Sequence, residues 1–238
     1  MLKEEAITST GDPDLFARGC TPIGQGMLMA YLDLLNYADD DYPHAMVLLS
    51  DGFENKTPSV ADALALITYG EEVNIYTIAL GPLADSDLLK DIADQTGGKF
   101  YESPTIRDLL TIYFQIQGIL SLGETVGLER GVKGSGNDTR TVIIDQGASE
   151  ATFVVGWLQP EGSLRLELDD PTGTKVYPQV NTTGTPGFES GEHSTYHYIR
   201  IEEPMPGSWD VHIIREDTGD FQIYYTFAAF VKGISKLW

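Results

Sequence analysis

Cysteine is almost absent from this sequence. Cys20 is the only one, so the chain can form no internal disulfide and no zinc site built from cysteines. Long apolar runs are missing as well: no stretch approaches the roughly 18 apolar residues that a transmembrane helix needs, and we expect no such segment. The first residues, 1–7, are too acidic and too poor in apolar side chains to predict a signal peptide.

Positive charge is scarce. Lys and Arg number 15 against 36 Asp and Glu, which gives a net charge of −21. Such a surface repels polyanions, so we expect neither a nucleic-acid partner nor an anionic membrane partner. A cation suits it better, although solubility in salty surroundings explains the same charge. The length of 238 residues and the 42% hydrophobic content allow one large or two medium domains with real cores.

Motifs for catalysis are also missing. The sequence contains no Gly-x-Ser-x-Gly, no His-Glu-x-x-His, no phosphate-binding loop and no cysteine with an evident histidine partner. His193 and His197 are four residues apart, but the region is rich in β-branched residues and the glutamate of a zinc helix is absent. An exposed pair on one strand is the favoured interpretation. We therefore predict that the chain is not an enzyme.

The apolar run Ala45–Leu49 ends abruptly in Asp51 and Gly52. An apolar run without polar alternation predicts a parallel strand that is covered on both faces. Ligands of open α/β sheets bind beyond the carboxyl ends of the strands, which makes Asp51 a candidate metal ligand. An ordinary Asp-Gly turn is the alternative.

Thr21 precedes Pro22 and an apolar-periodic helix over 27–37. A threonine before proline is typical of a helix N-cap, where the hydroxyl accepts a backbone hydrogen bond. A hydroxyl at such a junction can equally bind a metal. Both interpretations of Thr21 remain open.

The remaining first half alternates helices and strands. Ser59 and Asp62 predict a capped helix to about residue 69, and Asp85 or Ser86 begins another that Gly97 ends. Strands are predicted over 73–80 and 99–102, and a last helix over 106–120. This order indicates an α/β sheet built from βαβ units.

Four segments in this order carry a resemblance: Gly19-Cys-Thr-Pro-Ile-Gly24, Val47-Leu-Leu-Ser-Asp-Gly52, Val73–Gly81 and Leu89–Tyr101. Together they resemble a von Willebrand factor type A (vWA) domain over roughly residues 1–120. The resemblance implies a Rossmann-like sheet with a metal-ion-dependent adhesion site. Thr21 and Asp51 match positions that help to hold Mg²⁺ or Mn²⁺. It also implies a protein ligand that offers an acidic side chain, and an extracellular or cell-surface location.

The sequence departs from that family because Asp-x-Ser-x-Ser, with which the family's site opens, is absent. We expect the chain to begin near the family's second helix and to lack its first strands, so that it forms only the C-terminal half of the domain. Mg²⁺ takes six oxygen ligands, and with so few protein donors its binding should be weak. The strand Ala45–Leu49 would then present an unpaired edge, which predicts a homodimer through that edge.

The second half is predicted as a linker over 121–138 and an all-β antiparallel sandwich over 139–238. Short β-rich runs alternate with turn signals there, and Trp157 and Trp209 are predicted core residues. A vWA domain followed by such a module resembles the calcium-activated chloride channel regulator family and its microbial relatives. The resemblance leaves an alternative function, an accessory region of a larger secreted hydrolase or metalloprotease.

Clustered carboxylates raise the possibility of Ca²⁺ binding at Asp39–Asp41 and at Asp169–Asp170, although solvated turns explain both. The sequence as a whole predicts a non-enzymatic adhesion or protein-interaction fragment. Its incomplete metal site would consist of Thr21 and Asp51.

Overall fold

A computed structural model describes residues 21–38, 44–70, 73–103, 105–121, 123–134, 138–176, 188–193 and 195–233. Contacts within the chain define two compact units, Met1–Glu102 and Ser103–Trp238. In these described ranges, no helix has both the length and the apolar content that crossing a membrane requires.

The first unit alternates helices and strands as predicted. Its elements are α1 (Ile23–Tyr37), β1 (Ala45–Ser50), α2 (Val60–Ile67), β2 (Asn74–Leu80), α3 (Ser86–Thr96) and β3 (Phe100–Ser103). The strands form one sheet in the order β1-β2-β3. β1 and β2 are parallel, with Ala45 opposite Asn74. The α/β prediction is confirmed.

Local sequence signals begin and end these helices. Ser59 caps α2, and its side chain and that of Asp62 form the predicted capping box. Asp85 caps α3 by accepting a hydrogen bond from the Leu88 N–H. Gly97 ends α3 in the left-handed region at φ 71°, which glycine adopts without steric cost.

One face of the sheet carries a large apolar cluster of this unit. Met46, Ile75 and Ala79 lie on the same face because Met46 pairs with Ile75 and the alternation of a strand is two residues. They pack in one cluster with buried residues of α1, α2 and α3: Ile23, Met27, Tyr31, Val60, Ala63, Leu64, Ile67, Leu89 and Ile92. The three helices therefore bury their apolar sides in a common core.

The other face of β1 differs from the prediction. Val47 and Leu49 point away from Met46, and they are 41% and 39% exposed. The expectation that Ala45–Leu49 is covered on both faces is wrong for this strand. The apolar cluster lies on the opposite face, which leaves Val47 and Leu49 outside it.

The second unit contains one helix and nine strands among the described residues. They are α4 (Ile106–Leu120), β4 (Glu124–Lys133), β5 (Asp138–Ile144), β6 (Ala148–Trp157), β7 (Leu164–Asp169), β8 (Lys175–Val176), β9 (Phe188–His193), β10 (Tyr196–Glu202), β11 (Gly207–Arg215) and β12 (Ile223–Gly233). A five-stranded sheet has the order β4-β12-β6-β10-β9, and a four-stranded sheet has the order β5-β11-β7-β8. The predicted antiparallel sandwich is confirmed.

Two boundaries differ from the predicted domain limits. Most of the expected linker over 121–138 is strand β4, which pairs with β12 along its length. Helix α4, placed in the first domain by the sequence, packs against β4 and β12 and belongs to the second unit. A hydrogen-bonding contact of 3.3 Å between the hydroxyls of Thr111 and Thr226 joins α4 to β12.

Trp157 and Trp209 are core residues of the sandwich, as predicted. Both are 3% exposed, and the ring centroid of Trp209 lies 6.0 Å from that of Phe153. The indole N–H of Trp157 donates to the Gly162 carbonyl and that of Trp209 to the Met205 carbonyl, each at 2.8 Å. Each polar atom is thus satisfied where the ring is buried.

An ion pair fixes the loop between β11 and β12. Arg215 donates to Asp217 and to the carbonyls of Gly219 and Phe221. The Asp217 carboxylate also accepts the N–H groups of Ser163 and Gly219. The hydrogen bond from Arg215, followed by those from Ser163 and Gly219, lowers the pKa of Asp217 to about 2.

We predict that Asp217→Asn lowers the free energy of unfolding at pH 7 by about 1.5–3 kcal/mol, the typical contribution of hydrogen bonds to a charged group. Because the folded pKa is depressed from 3.8 to about 2, the stabilisation is present above pH 4. It disappears as the pH falls through about 2. Denaturation followed by tryptophan fluorescence at several pH values measures both effects. The exposed Asp220→Asn is the matched control, and a wild-type advantage that persists at pH 2 would contradict the assignment.

Among the described residues, β1 has a neighbouring strand on one side only. The homodimer through Ala45–Leu49 stays a prediction, and Val47→Lys tests it because a lysine on an edge strand opposes pairing with another chain. We expect the mass in solution, measured by light scattering, to fall from dimer to monomer. Leu83→Lys, at a loop position that is 73% exposed, is the control. A wild-type protein that remains a monomer at high protein concentration would contradict the prediction.

Candidate functional site

The structure brings the two predicted metal-binding positions to neighbouring loops. Thr21 immediately precedes α1, and Asp51 follows the carboxyl end of β1. The Thr21 hydroxyl lies 3.3 Å from the point that a Cβ on Gly52 would occupy. Because residue 52 is a glycine, no side chain separates the Thr21 hydroxyl from the backbone next to Asp51.

Reciprocal hydrogen bonds join these two loops. The Thr21 N–H donates to Asn55 Oδ1 at 2.8 Å, and the Asn55 N–H donates to the Thr21 carbonyl at 3.3 Å. The backbone of Thr21 is thereby held against the loop that carries Asp51.

The Glu54 carboxylate connects the first turns of two helices. Its Oε1 accepts the N–H of Gly24 in α1, and its Oε2 accepts the N–H of Val60 in α2, both at 3.0 Å. The first N–H groups of a helix have no partner inside the helix, and the positive end of the helix dipole favours an anion there. Because both oxygens serve the helices, Glu54 is a positioning residue.

Close packing of α1 against the start of α2 requires Gly24. A Cβ at this position would lie 2.5 Å from the Ser59 carbonyl oxygen, well inside van der Waals contact. Any larger residue would separate the helix starts that Glu54 joins.

The N-cap interpretation of Thr21 is wrong. Helix α1 begins at Ile23 with Pro22 in the N-cap position, and no side chain caps it there. Proline takes the position that the sequence assigned to threonine, and Glu54 supplies the acceptor instead. The Thr21 hydroxyl is consequently not used as a cap.

Ser50 and Asp51 have different environments at the end of β1. Ser50 is buried, and its hydroxyl donates to the Gly52 carbonyl at 3.2 Å, so it stabilises the turn. The Asp51 side chain is exposed. Of these two oxygen-bearing side chains, Asp51 is the one that a ligand from solvent can reach.

The donor set fits a divalent cation only in part. Among the described residues, no group of three or more His, Cys, Asp or Glu side chains could surround a metal. The Thr21 hydroxyl and the Asp51 carboxylate supply hard oxygen donors of the kind that Mg²⁺ and Mn²⁺ prefer. Octahedral Mg²⁺ would need its other ligands from water or a partner.

The two acidic clusters considered for Ca²⁺ differ in what the structure describes. Asp39–Asp41 lies outside the described residues. In the second cluster, Asp170 Oδ1 accepts the Thr172 hydroxyl and the N–H groups of Thr174 and Thr172. These turn hydrogen bonds, that of the hydroxyl first, lower the pKa of Asp170. Asp169 pairs with His212, their nearest atoms being 3.0 Å apart. Both carboxylates thus have structural partners, as the turn interpretation expects.

The histidine pair is not on one strand. His193 ends β9 and His197 lies in β10, so a hairpin separates them. His197 is 4% exposed, and its Nδ1 accepts the Leu166 N–H at 3.4 Å. The expectation of an exposed pair is wrong, because the tight turn between the strands cannot be read from a spacing of four.

The sequence did not identify Glu54 and Asn55 as parts of the site. The signal available was their position, two and three residues after Gly52 in the loop that leads to α2. Their roles depend on the approach of α1 and Thr21, through contacts across 30 and 34 positions that no local pattern reveals.

Residues 4–115 match the family model described as von Willebrand factor type A domain. No curated protein matches the chain.

Three solved structures are similar to parts of this chain at low identity and low TM-score. An uncharacterised membrane spanning protein from Vibrio fischeri is 23% identical, covering 41% of this chain and 55% of its own, with a TM-score of 0.31. A von Willebrand factor type A protein from Catenulispora acidiphila is 13% identical, covering 90% and 39%, with a TM-score of 0.37. The CspB protease of Clostridium perfringens is 10% identical, covering 87% and 37%, with a TM-score of 0.34.

The chain thus spans between 37% and 55% of the length of these proteins. At such low similarity, nothing about the activity of this chain follows from theirs. The family match rests on the N-terminal segment, whose helix and strand order agrees with it. Residues 4–115, just under half of this chain, are thus identified as a von Willebrand factor type A domain by the family model.

Proposed function

We propose that this chain is a non-enzymatic adhesion or protein-interaction module of a secreted or surface protein. In this proposal Thr21 and Asp51 bind Mg²⁺ or Mn²⁺ weakly, and an acidic side chain of a protein partner completes the coordination. A vWA domain is commonly an interaction domain and generally non-catalytic. No contact among the described residues favours the alternative, an accessory role in a larger secreted hydrolase.

The observation that carries the proposal is the position of the Thr21 hydroxyl beside Gly52. The hydrogen bonds of Asn55 and Glu54 hold the two loops together without using the Thr21 hydroxyl or the Asp51 carboxylate. The scaffold therefore leaves two oxygen donors available at the carboxyl end of β1. This is the edge of an open α/β sheet at which ligands bind.

The net charge of −21 supports a cation as the link between this chain and an acidic partner. Two carboxylates repel each other at short range, and a divalent ion between them reverses the sign of the interaction. The partner's carboxylate would also replace water in a coordination shell that the chain fills incompletely. Partner binding and metal binding should consequently strengthen each other.

We predict weak Mn²⁺ binding, in roughly the millimolar range that few-ligand sites show. Asp51→Ala should abolish it and Thr21→Ala should weaken it, because these changes remove the charged and the neutral donor. Calorimetry or water proton relaxation measures the affinity. Asp91→Ala, at an exposed position on α3, is the matched control. Binding that Asp51→Ala leaves unchanged would refute the assigned site.

The partner can be tested with a short peptide that contains one glutamate and blocked termini. In the presence of Mn²⁺ we expect it to bind more tightly than its glutamine counterpart. Addition of EDTA should remove the difference. Equal binding of the two peptides would refute a carboxylate ligand even if the metal binds.

Glu54→Gln should weaken Mn²⁺ binding although Glu54 does not contact the metal in this proposal. The neutral amide cannot accept N–H groups with both terminal atoms, so one helix start loses its partner and the loops separate. The same variant should lower the free energy of unfolding by roughly 1–3 kcal/mol. Glu102→Gln, an exposed change in the same unit, controls for the lost charge. Unchanged affinity together with unchanged stability would show that the bridge is unimportant.

A further inference from the structure

A cavity of about 270 Å³ opens within the second unit, between helix α4 and strands β4 and β12. Arg107 and Leu110 line it from α4, Arg130 from β4 and Tyr224 from β12, with Leu158 beside them. The site of Thr21 and Asp51 lies in the other unit. We refer to this space as the Arg107 cavity.

Arg107 has no carboxylate partner among the described residues. Every other arginine in the described ranges is ion-paired: Arg130, Arg140, Arg165, Arg200 and Arg215. The guanidinium carbon of Arg107 instead lies 3.6 Å from the ring centroid of Tyr224. In a chain with 36 acidic residues, an arginine without a carboxylate partner is unusual.

Stacking on Tyr224 determines what Arg107 can still do. A guanidinium over an aromatic face keeps its N–H donors in its own plane, where they remain available. The ring also fixes the side chain, so less conformational entropy is lost when a ligand binds. Arg107 therefore offers a positioned planar fork of the type that binds carboxylates through two parallel hydrogen bonds.

Arg130 is held in place on the other side of the cavity. Its Nε donates to the Thr111 hydroxyl and one terminal nitrogen donates to Asp108, each at 2.7 Å. Hydrogen bonds from Thr105 and then from Arg130 lower the pKa of Asp108, so this carboxylate is ionised at neutral pH. Asp108 thereby compensates one of the two positive charges. The lining is left with the charge of a single cation.

The size and walls of the cavity restrict the ligand further. Pockets for drug-sized ligands begin at about 300 Å³, so this one accommodates only a small group. Leu110 and Leu158 provide apolar surface next to the guanidinium. A monoanion with a short apolar body matches both features, whereas a doubly charged phosphate would exceed the available charge.

We propose that the Arg107 cavity binds a small organic carboxylate, with the carboxylate on the Arg107 guanidinium and the apolar body against Leu110 and Leu158. The free C-terminus of a peptide that ends in an apolar residue and a free aliphatic acid share this chemistry. This inference is independent of the proposed metal site, because it uses residues of the second unit alone.

The first experiment titrates the full chain with N-acetyl-leucine and with N-acetyl-leucinamide in the absence of metal, followed by NMR or calorimetry. We expect saturable binding of the acid and binding of the amide that is weaker by about tenfold, since one charge-assisted pair is lost. Added salt should weaken the binding of the acid more than the binding of the amide. No binding of the acid, or equal binding of the two compounds, overturns the proposal.

Variants identify the side chain responsible. Arg107→Gln should weaken the binding of the acid about tenfold. Arg107→Lys should cause an intermediate loss of affinity, because it keeps the charge but not the planar fork. Arg200→Gln, which removes an ion-paired arginine of the same unit, is the matched control. Arg107 is exposed, and thermal unfolding of each variant should follow that of the wild type. Acid binding that is unchanged in Arg107→Gln overturns the assignment.

A comparison of N-acetyl-Gly-Gly-Leu with N-acetyl-leucine distinguishes the two sources. Tighter binding of the tripeptide supports a peptide C-terminus as the ligand, and equal affinity supports a free acid. Either result keeps the carboxylate assignment, provided that Arg107→Gln weakens both compounds. Tripeptide binding that does not depend on its free carboxylate contradicts it.

Discussion

The Glu54 carboxylate is the interaction on which the first unit's site depends. It accepts N–H groups from Gly24 and Val60, so one anion serves the unpaired first turns of α1 and α2. Both helices are thereby placed at the carboxyl end of β1, and Thr21 comes to lie beside Gly52. The arrangement of the two candidate ligands thus follows from a carboxylate whose two oxygens each accept a helix N–H.

Local rules predicted those elements whose causes are local. The capping box of Ser59 and Asp62, the cap at Asp85 and the left-handed Gly97 were all readable from a few neighbouring residues. The same reasoning failed at Thr21, because Pro22 occupies the N-cap and the acceptor comes from Glu54, far along the chain. Which residue satisfies a helix start is decided by tertiary contact when a better acceptor is brought close.

The missed strand β4 has a related cause. Its glycines suggested a linker, since glycine is depleted in strands. Gly131 nonetheless lies under the Tyr225 ring, which occupies the space that a Cβ at residue 131 would need. The hydroxyl of Tyr225 in turn donates to Asp138. The glycine is thus explained by a large aromatic side chain on the neighbouring strand. A pattern of one strand cannot reveal this, because the pairing partner follows some 90 positions later.

The strong negative charge limits how this chain can recognise an acidic ligand. At physiological ionic strength the field of a surface charge is largely screened beyond about 8 Å, so only charges next to the ligand decide the outcome. Nearly all described arginines are already paired with carboxylates of the chain. Local positive charge can come from an added cation, as proposed at Asp51, or from an arginine without a carboxylate partner, such as Arg107, which stacks on Tyr224. The two proposals are separate physical solutions to the same electrostatic constraint, and they differ in whether a chelator abolishes binding.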